Sequence, residues 1–194
     1  DADVRQLLDE GPEFKKQVID VIETGFYLSK HRYNGSQRLT VGERYSRKDV
    51  CRLLDWEKNE ESTIYGYKVD RVSGTCPIFV TYHKDADVTA STNYEDEFLD
   101  PGTMRWFTRS RRTLESGEVK SIVAREVPLH LFAKKDDAEG TDFYYLGEAV
   151  PRDPIQEQMP GDNGALLNVV TMKLQLESPL EPSLFDYFCQ NVRV

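Results

Sequence analysis

Cysteine is scarce in this sequence, and its placement excludes two kinds of site. Cys51, Cys76 and Cys189 are odd in number and far apart. They form neither a disulfide framework nor a CxxC metal motif, which fits a reducing compartment. Long apolar runs are also missing, since no segment approaches the ~18 residues needed to span a bilayer. We therefore expect a cytoplasmic protein that has no membrane partner.

Short catalytic motifs are absent as well. The sequence contains no Gly-rich phosphate loop followed by Lys-Ser/Thr, no GxSxG, no HExxH and no H-x-E paired with PCxxC. Its three histidines, His31, His83 and His130, stand at unrelated positions. A three-histidine metal site is therefore not expected. We expect no catalytic residue, no metal and no cofactor in this chain.

Positive charge is in the minority, because 25 Lys+Arg are set against 34 Asp+Glu, giving a formal net charge of -9. This balance argues against indiscriminate nucleic-acid binding, since affinity for the phosphate backbone comes from clustered Lys and Arg. It is compatible with one basic face on an acidic body. The sequence begins DADVRQLLDE, with neither a Met nor a signal peptide. We expect it to be part of a longer protein.

Helical patterns dominate the first quarter of the chain. VRQLL predicts a short helix, and EFKKQVIDVIETGFYL after Pro12 carries apolar residues at helical spacing. A loop follows over residues 31–44. Ser46 and Asp49 then form a capping signature at the start of SRKDVCRLLDW, which predicts a third helix.

Period-two alternation replaces the helical period from residue 62 onward. STIYGYKVD and TCPIFVTYH predict a hairpin, and three later strands are predicted in VPLHLFAKK, TDFYYLGEAV and LLNVVTMKLQL. Loops are expected at residues 84–103 and in PRDPIQEQMPGDNG, with short helices in TLESGEVKSIVARE and, capped by Ser183, in SLFDYFCQ. Because no β-α-β alternation occurs, we predict an α+β fold. Its sheet is expected to be mostly antiparallel and curled, or a pseudo-barrel.

One basic stretch, MRWFTRSRR at residues 104–112, contrasts with the acidic composition. Guanidinium groups and hydroxyls together suit a phosphate backbone, and an interleaved aromatic ring can stack on a base. The predicted phosphate-binding residues are Arg105, Thr108, Arg109, Ser110, Arg111 and Arg112. The alternative is that Trp106 and Phe107 belong to the core and that the arginines pair with acidic residues such as those of YEDEF.

A possible base pocket is indicated by NYEDEF at residues 93–98. A carboxylate beside an aromatic ring can accept the exocyclic amine of a cytosine-like base while the ring stacks on its face. Tyr65 and Tyr67, placed on one strand face around Gly66, could add a stacking platform. The predicted pocket comprises Tyr65, Tyr67, Tyr82, Tyr94, Glu95, Asp96 and Trp106. The alternatives are an acidic loop held by neighbouring arginines and tyrosines that line the core.

A nuclease-like pattern competes with this interpretation. Asp100 precedes Glu118-Val119-Lys120, which formally matches the acidic residue and E-x-K triplet of many restriction nucleases. Such triplets are common in chains rich in Glu and Lys, and Pro-Gly after Asp100 indicates a turn. The other interpretation of Glu118 and Lys120 is a solvated helix face.

Several long strings resemble one family across residues 25 to 188. They are RYSRKDVCRLLDWEKNEESTIYGYKV, TCPIFVTYHK, NYEDEF, FTRSRRTLES, HLFAKKDDAEGTDFYYLGEA and MKLQLESPL. The family is the C-terminal domain, formerly of unknown function, of bacterial proteins that join a phospholipase-D-type nuclease to a superfamily II helicase. SauUSI-type modification-dependent (type IV) restriction enzymes have this arrangement.

This resemblance implies a non-catalytic module related to SRA and PUA-like folds, which take a flipped modified cytosine into a pocket. The implied partners are double-stranded DNA, carrying 5-methylcytosine or a close derivative, and nuclease and helicase domains upstream in the same chain. The resemblance also implies that the basic stretch faces DNA. We divide the chain into a helical segment or connector, 1–30, and a DNA-recognition domain, 31–194. A structural coupler that docks on the helicase without DNA contact is a further alternative.

Overall fold

A computed structural model of the protein describes residues 8–9, 11–31, 37–82, 96–161 and 165–189. The chain contains two compact units, Asp1–Glu43 and Arg44–Val194. This places the boundary beyond residue 30, where the sequence division was drawn. No helix in the described part of the chain is long and apolar enough to cross a membrane.

The first unit contains helix α1, Pro12–His31. Pro12 suits the first turn because the amide that proline lacks would have no helical partner there. The predicted helix is confirmed, but most of its apolar positions, such as Phe14, Val21 and Phe26, are exposed. The shorter helix predicted from VRQLL lies outside the described residues except for Leu8.

The second unit starts with strand β1, Arg44–Ser46, and helix α2, Arg47–Leu53. Ser46 caps the helix as predicted: its hydroxyl accepts a hydrogen bond from the amide of Asp49 at 3.1 Å and donates one to the carboxylate at 2.8 Å. Both bonds are local in sequence, which is why the pattern alone identified them. This cap fixes where the helix begins and therefore where Arg47 stands.

Seven strands form a mixed, mostly antiparallel, open sheet in the described part of the unit. After β1 they are β2 (Cys76–Thr81), β3 (Glu97–Asp100), β4 (Thr103–Phe107), β5 (Leu129–Lys134), β6 (Asp142–Pro160) and β7 (Leu166–Leu176). Their order is β2-β5-β6-β7-β4-β3, with β1 paired to β6. The β2–β5 pair is parallel and the other pairs are antiparallel. The predicted α+β fold with a mostly antiparallel sheet is thus confirmed.

Helices α3 (Gly117–Val123) and α4 (Pro182–Cys189) complete the unit. Val119 and Ile122 of α3 and Phe188 of α4 join the main apolar core, together with residues of β2, β4, β5 and β7. Phe79, Phe132 and Phe143 form a second aromatic contact group, with ring centroids 4.9 and 5.1 Å from that of Phe79. The predicted terminal helix begins at Pro182, so Ser183 lies within the helix and not at its cap.

Three predictions of local structure were wrong. Residues 84–103 are not all loop, because β3 and the start of β4 lie within them. PRDPIQEQMP is not a loop, because β6 continues through it to Pro160, paired with β7. A register shift between Arg152 and Ile155 absorbs the irregularity, with Asp153 at φ 49. STIYGYKVD is not a regular strand, since its pairing consists of two isolated bridges, Tyr67 with Ile78 of β2 and Asp70 with Thr75.

Candidate nucleic-acid interface

A cleft of about 660 Å³ lies beside the basic stretch. Its walls come from segments that are distant in sequence. They are residues 61–62, 64–67, 79–81 and 106–110, with Arg47, Asp96 and Asp137. The cleft therefore gathers Tyr65, Tyr67, Asp96 and Trp106 of the predicted base pocket, and Thr108, Arg109 and Ser110 of the predicted phosphate site.

Tyr65, Tyr67 and Trp106 are three of the aromatic residues that line the cleft. The side chains of Tyr67 and Trp106 are 1% and 3% exposed, and they meet edge to face at 5.0 Å between centroids. Tyr65 is 69% exposed. Gly66 separates the two tyrosines with φ +76, a conformation that favours glycine, and its carbonyl accepts a hydrogen bond from Phe79 at 2.6 Å. Tyr65 and Tyr67 were predicted to share one strand face. They do not, because Gly66 interrupts the alternation of side chains.

The carboxylate of Glu118 binds three side chains of this region. It accepts hydrogen bonds from the hydroxyl of Tyr67 at 2.8 Å and from Nη2 of Arg109 at 2.9 and 2.7 Å, and it also pairs with Nε of Arg112. We call these four residues the Glu118 hub. Its arginines outnumber its carboxylate, so the hub carries a net positive charge.

The hub fixes Arg109 against the cleft. Its guanidinium carbon lies 4.6 Å from the centre of the Tyr67 ring, a cation–π contact. Burial lowers the pKa of Arg109, but hydrogen bonds and charge from Glu118 outweigh this effect and the net shift is upward. Burial likewise raises the pKa of Glu118, yet bonds from Arg109, Tyr67 and Arg112 bring it below its ordinary value. The pair is therefore charged at neutral pH.

The remaining arginines of the basic stretch have different surroundings. Arg105 on β4 pairs with Glu97 on β3 at 2.5 Å, and both side chains are about half exposed. Arg111 is exposed with φ 64, and it has no hydrogen bond or ion pair with any residue that the structure describes. The alternative interpretation of the basic stretch thus holds in part, because Trp106 belongs to the core and three arginines pair with acids. Guanidinium groups with one acidic partner still keep N–H donors for a phosphate.

The two hydroxyls of the stretch differ. Ser110 lines the cleft. Thr108 is 1% exposed, and its hydroxyl accepts a hydrogen bond from the amide of Val170 at 2.9 Å and donates to the carbonyl of Arg109 at 3.3 Å. The hydroxyl of Thr108 therefore connects the end of β4 to β7, and its contact with a phosphate stays a prediction.

The rest of the predicted base pocket is only partly assembled. Asp96 lies in the cleft, and one carboxylate oxygen accepts a hydrogen bond from the amide of Phe107 at 3.0 Å. Tyr82 is not among the cleft residues; its ring packs against Phe98 and Phe188 at 5.4 and 6.2 Å. Tyr82 is partly buried and packs against the core, so its place in a base pocket stays a prediction. Tyr94 and Glu95 lie outside the described residues.

The residues of the nuclease-like pattern have other partners. Glu118 is the centre of the hub, Lys120 pairs with Glu115 at 2.5 Å, and a carboxylate oxygen of Asp100 accepts a hydrogen bond from Gly102 at 2.8 Å. Within the described ranges, no group of three or more His, Cys, Asp or Glu side chains is arranged to hold a metal ion. Neither interpretation of Glu118, metal ligand or solvated face, anticipated its contacts with Tyr67 and two arginines.

Arg47 is a charged cleft residue that was not predicted from the sequence. It lies at the first position of α2, and its guanidinium carbon stands 5.3 and 4.9 Å from the ring centres of Phe79 and Phe143. Burial lowers its pKa, partly offset by the charge of Asp137. A basic residue directly after the Ser46 cap was the available signal, because the first turn of a helix favours acidic residues.

A solved structure shares the fold of this chain. The DNA modification-dependent restriction endonuclease AspBHI matches with a TM-score of 0.50 and 12% identity, covering 76% of this chain and 80% of that one. This similarity shows a common fold. A weaker match is SUVH6 of Arabidopsis thaliana, with a TM-score of 0.46, 15% identity and 74% coverage of this chain. Another is the pair of sulfur-binding and SRA domains of ScoMcrA, with a TM-score of 0.44, 11% identity and 77% coverage of this chain. This chain spans only 27% and 44% of those two chains.

Family membership follows from sequence. No curated protein matches this sequence. A family model described as a domain of unknown function, DUF3427, matches residues 39–188. The chain belongs to this family, and the matched region contains the cleft and the Glu118 hub.

Proposed function

We propose that this chain is the DNA-binding target-recognition domain of a modification-dependent restriction or phage-defence enzyme. The cleft would accept a base flipped out of the duplex, with a modified cytosine of the 5-methylcytosine type as its target. One observation carries the proposal: stacking, carboxylate and cationic side chains from distant segments line a single cleft. Its volume of about 660 Å³ falls in the range of roughly 300–1,000 Å³ that is usual for small-molecule sites.

Each part of the cleft has a role in this proposal. Tyr65 is exposed and free to stack on a base, while Tyr67 and Trp106 are buried and shape the wall. Asp96 offers a carboxylate to an exocyclic amine. Arg109 and Ser110 would hold the backbone beside the flipped nucleotide. Unstacking a base costs a few kcal/mol, which these contacts must recover.

The wider context of the proposal comes from the fold and the sequence resemblance. AspBHI, with which the chain shares its fold, is a DNA modification-dependent restriction endonuclease. The SauUSI-type resemblance adds nuclease and helicase domains upstream in the same bacterial protein. On this proposal the domain itself recognises DNA and does not cut it. Nicking that depends on Mg²⁺ and is abolished by Lys120→Ala would contradict that part.

The test is a titration of the isolated second unit and of the full chain with matched duplexes, unmodified or carrying 5-methylcytosine. We expect tighter binding of the methylated duplex. Tyr65→Ala should weaken that binding by the ~1–3 kcal/mol that stacking on one base contributes. Val72→Ala is the matched control, because Val72 is equally exposed and does not line the cleft.

Two other outcomes would change the proposal. Equal affinity for both duplexes would retain DNA binding and remove methylcytosine as the target. Absence of binding even at low salt, where an electrostatic contact is strongest, would contradict DNA recognition. The coupler alternative would then be favoured, and the exposed apolar side chains of α1 would be the surface to test.

A further inference from the structure

Arg47 lines the cleft from the first position of α2. A cation at the first turn of a helix opposes the helix dipole, so its position does not stabilise α2. Its guanidinium contacts the Phe79 and Phe143 rings, and Phe143 is buried. These two rings restrict the side chain to one region of the cleft wall.

One N–H donor of Arg47 has no acceptor in the part of the chain that the structure describes. Its Nε is buried and has no hydrogen-bond partner among the described residues. The nearby acid, Asp137, is paired instead with Lys134 at 2.7 Å. A partly buried guanidinium without an acceptor is costly, and an anionic ligand would remove that cost.

We infer that Arg47 binds a backbone phosphate of the nucleotide whose base occupies the cleft, an inference that rests on the proposed function. A phosphate supplies several charged acceptors to the guanidinium fork, whereas a base edge supplies neutral ones. Arg109, within the basic stretch, already has Glu118 as its acceptor. Arg47 has no such partner in the described part of the chain, so it has more to gain from an anion.

The experiment compares wild type, Arg47→Gln and Arg52→Gln in duplex titrations from 50 to 200 mM salt. Arg52 lies on the same helix and is exposed outside the cleft, so its variant is the matched control. Each phosphate contact contributes about -0.9 to the slope of log affinity against log salt. If Arg47→Gln loses one phosphate contact, the ratio of wild-type affinity to variant affinity should fall about 3-fold between 50 and 200 mM salt.

Arg47→Gln should weaken methylated and unmodified duplexes by the same factor, because a phosphate contact does not read the base. Arg47→Lys restores the charge and should recover most of the slope, even if the Gln variant folds poorly. Thermal unfolding of each variant distinguishes a folding defect from a binding defect.

Three results would overturn the inference. The first is an Arg47→Gln slope equal to that of Arg52→Gln, and the second is a Lys variant that behaves like the Gln variant. The third is an altered preference between duplexes at unchanged slope, which would indicate contact with a base. All three leave wild-type DNA binding intact, so they are distinct from failure of the proposed function, in which the wild type binds no duplex.

Discussion

Replacement of Glu118 by Gln tests whether the hub holds the cleft wall together. The substitution preserves the size of the side chain and removes its charge. Three donors point at this carboxylate: the Tyr67 hydroxyl, the Arg109 guanidinium and Nε of Arg112. In the variant, the amide can accept at one oxygen only, so at least one donor loses its acceptor.

The magnitude follows from the number and exposure of these bonds. A hydrogen bond to a charged group contributes about 1.5–3 kcal/mol. The side chains of the two ion pairs are 23–36% exposed, so water will compensate part of the loss. We expect Glu118→Gln to reduce the free energy of unfolding by about 2 kcal/mol. For a domain of this size, the midpoint temperature of thermal unfolding should fall by about 4–8 °C.

The stability difference between wild type and Glu118→Gln should also depend on pH. The pKa of Glu118 in the folded state lies below its ordinary value of 4.5. The unfolded chain therefore binds the proton more readily, so the stabilisation is complete above pH 4.5 and is lost as pH falls through the folded pKa. The difference between wild type and Glu118→Gln should accordingly shrink in acid.

Urea unfolding followed by tryptophan fluorescence measures this difference, since Trp106 is buried against Tyr67 of the hub. Glu115→Gln on the same segment is the control, because Glu115 is 82% exposed and its pair with Lys120 should contribute little. A Glu118→Gln variant as stable as wild type at pH 7 would refute the role of the hub. So would a difference that persists unchanged as the carboxylate is protonated.

Three further predictions concern single side chains. Burial lowers the pKa of His130 to about 4, so this side chain is neutral at pH 7. Because the unfolded chain takes up the proton at higher pH than the folded one, stability should fall as pH drops from 6.5 toward 4. His130→Gln should flatten that part of a profile of melting temperature against pH. Thr108→Val should cost ~1–3 kcal/mol in urea unfolding, because the amide of Val170 loses its acceptor. Arg105→Ala should cost under ~1 kcal/mol in the same assay, since its pair with Glu97 is exposed, and a larger loss would contradict this view of the β3–β4 edge.

The features that could be predicted from the sequence are those that depend on residues close together in the chain. The Ser46 cap was predictable because both partners stand three residues apart. The strands β5 and β7 were predictable because alternation is a property of the segment itself. Tyr65, Asp96 and Trp106 line one cleft, and their role in binding a base stays a prediction.

Other features depend on partners far along the chain. PRDPIQEQMP has the composition of a loop, with Pro151, Pro154 and Pro160, but it is a strand because β7 pairs with it from Thr171 to Leu166. The hydroxyl of Thr108 looked available for phosphate because nothing nearby in sequence reveals Val170, 62 positions later. Tertiary pairing overrides local composition in both cases.

The hub and Arg47 together explain how an acidic chain could bind DNA at a small site. Arg109 is held by Glu118 against the Tyr67 ring, and Arg47 is held by two phenylalanine rings. A side chain that is already immobilised loses little entropy on binding, so few cations suffice where flexible ones would have to be numerous. If DNA binding depends on two or three such contacts, log affinity plotted against log salt concentration should have a slope of only about -2 to -3. A much steeper slope would require many more phosphate contacts than this cleft provides, and would place the main DNA-binding surface elsewhere on the chain.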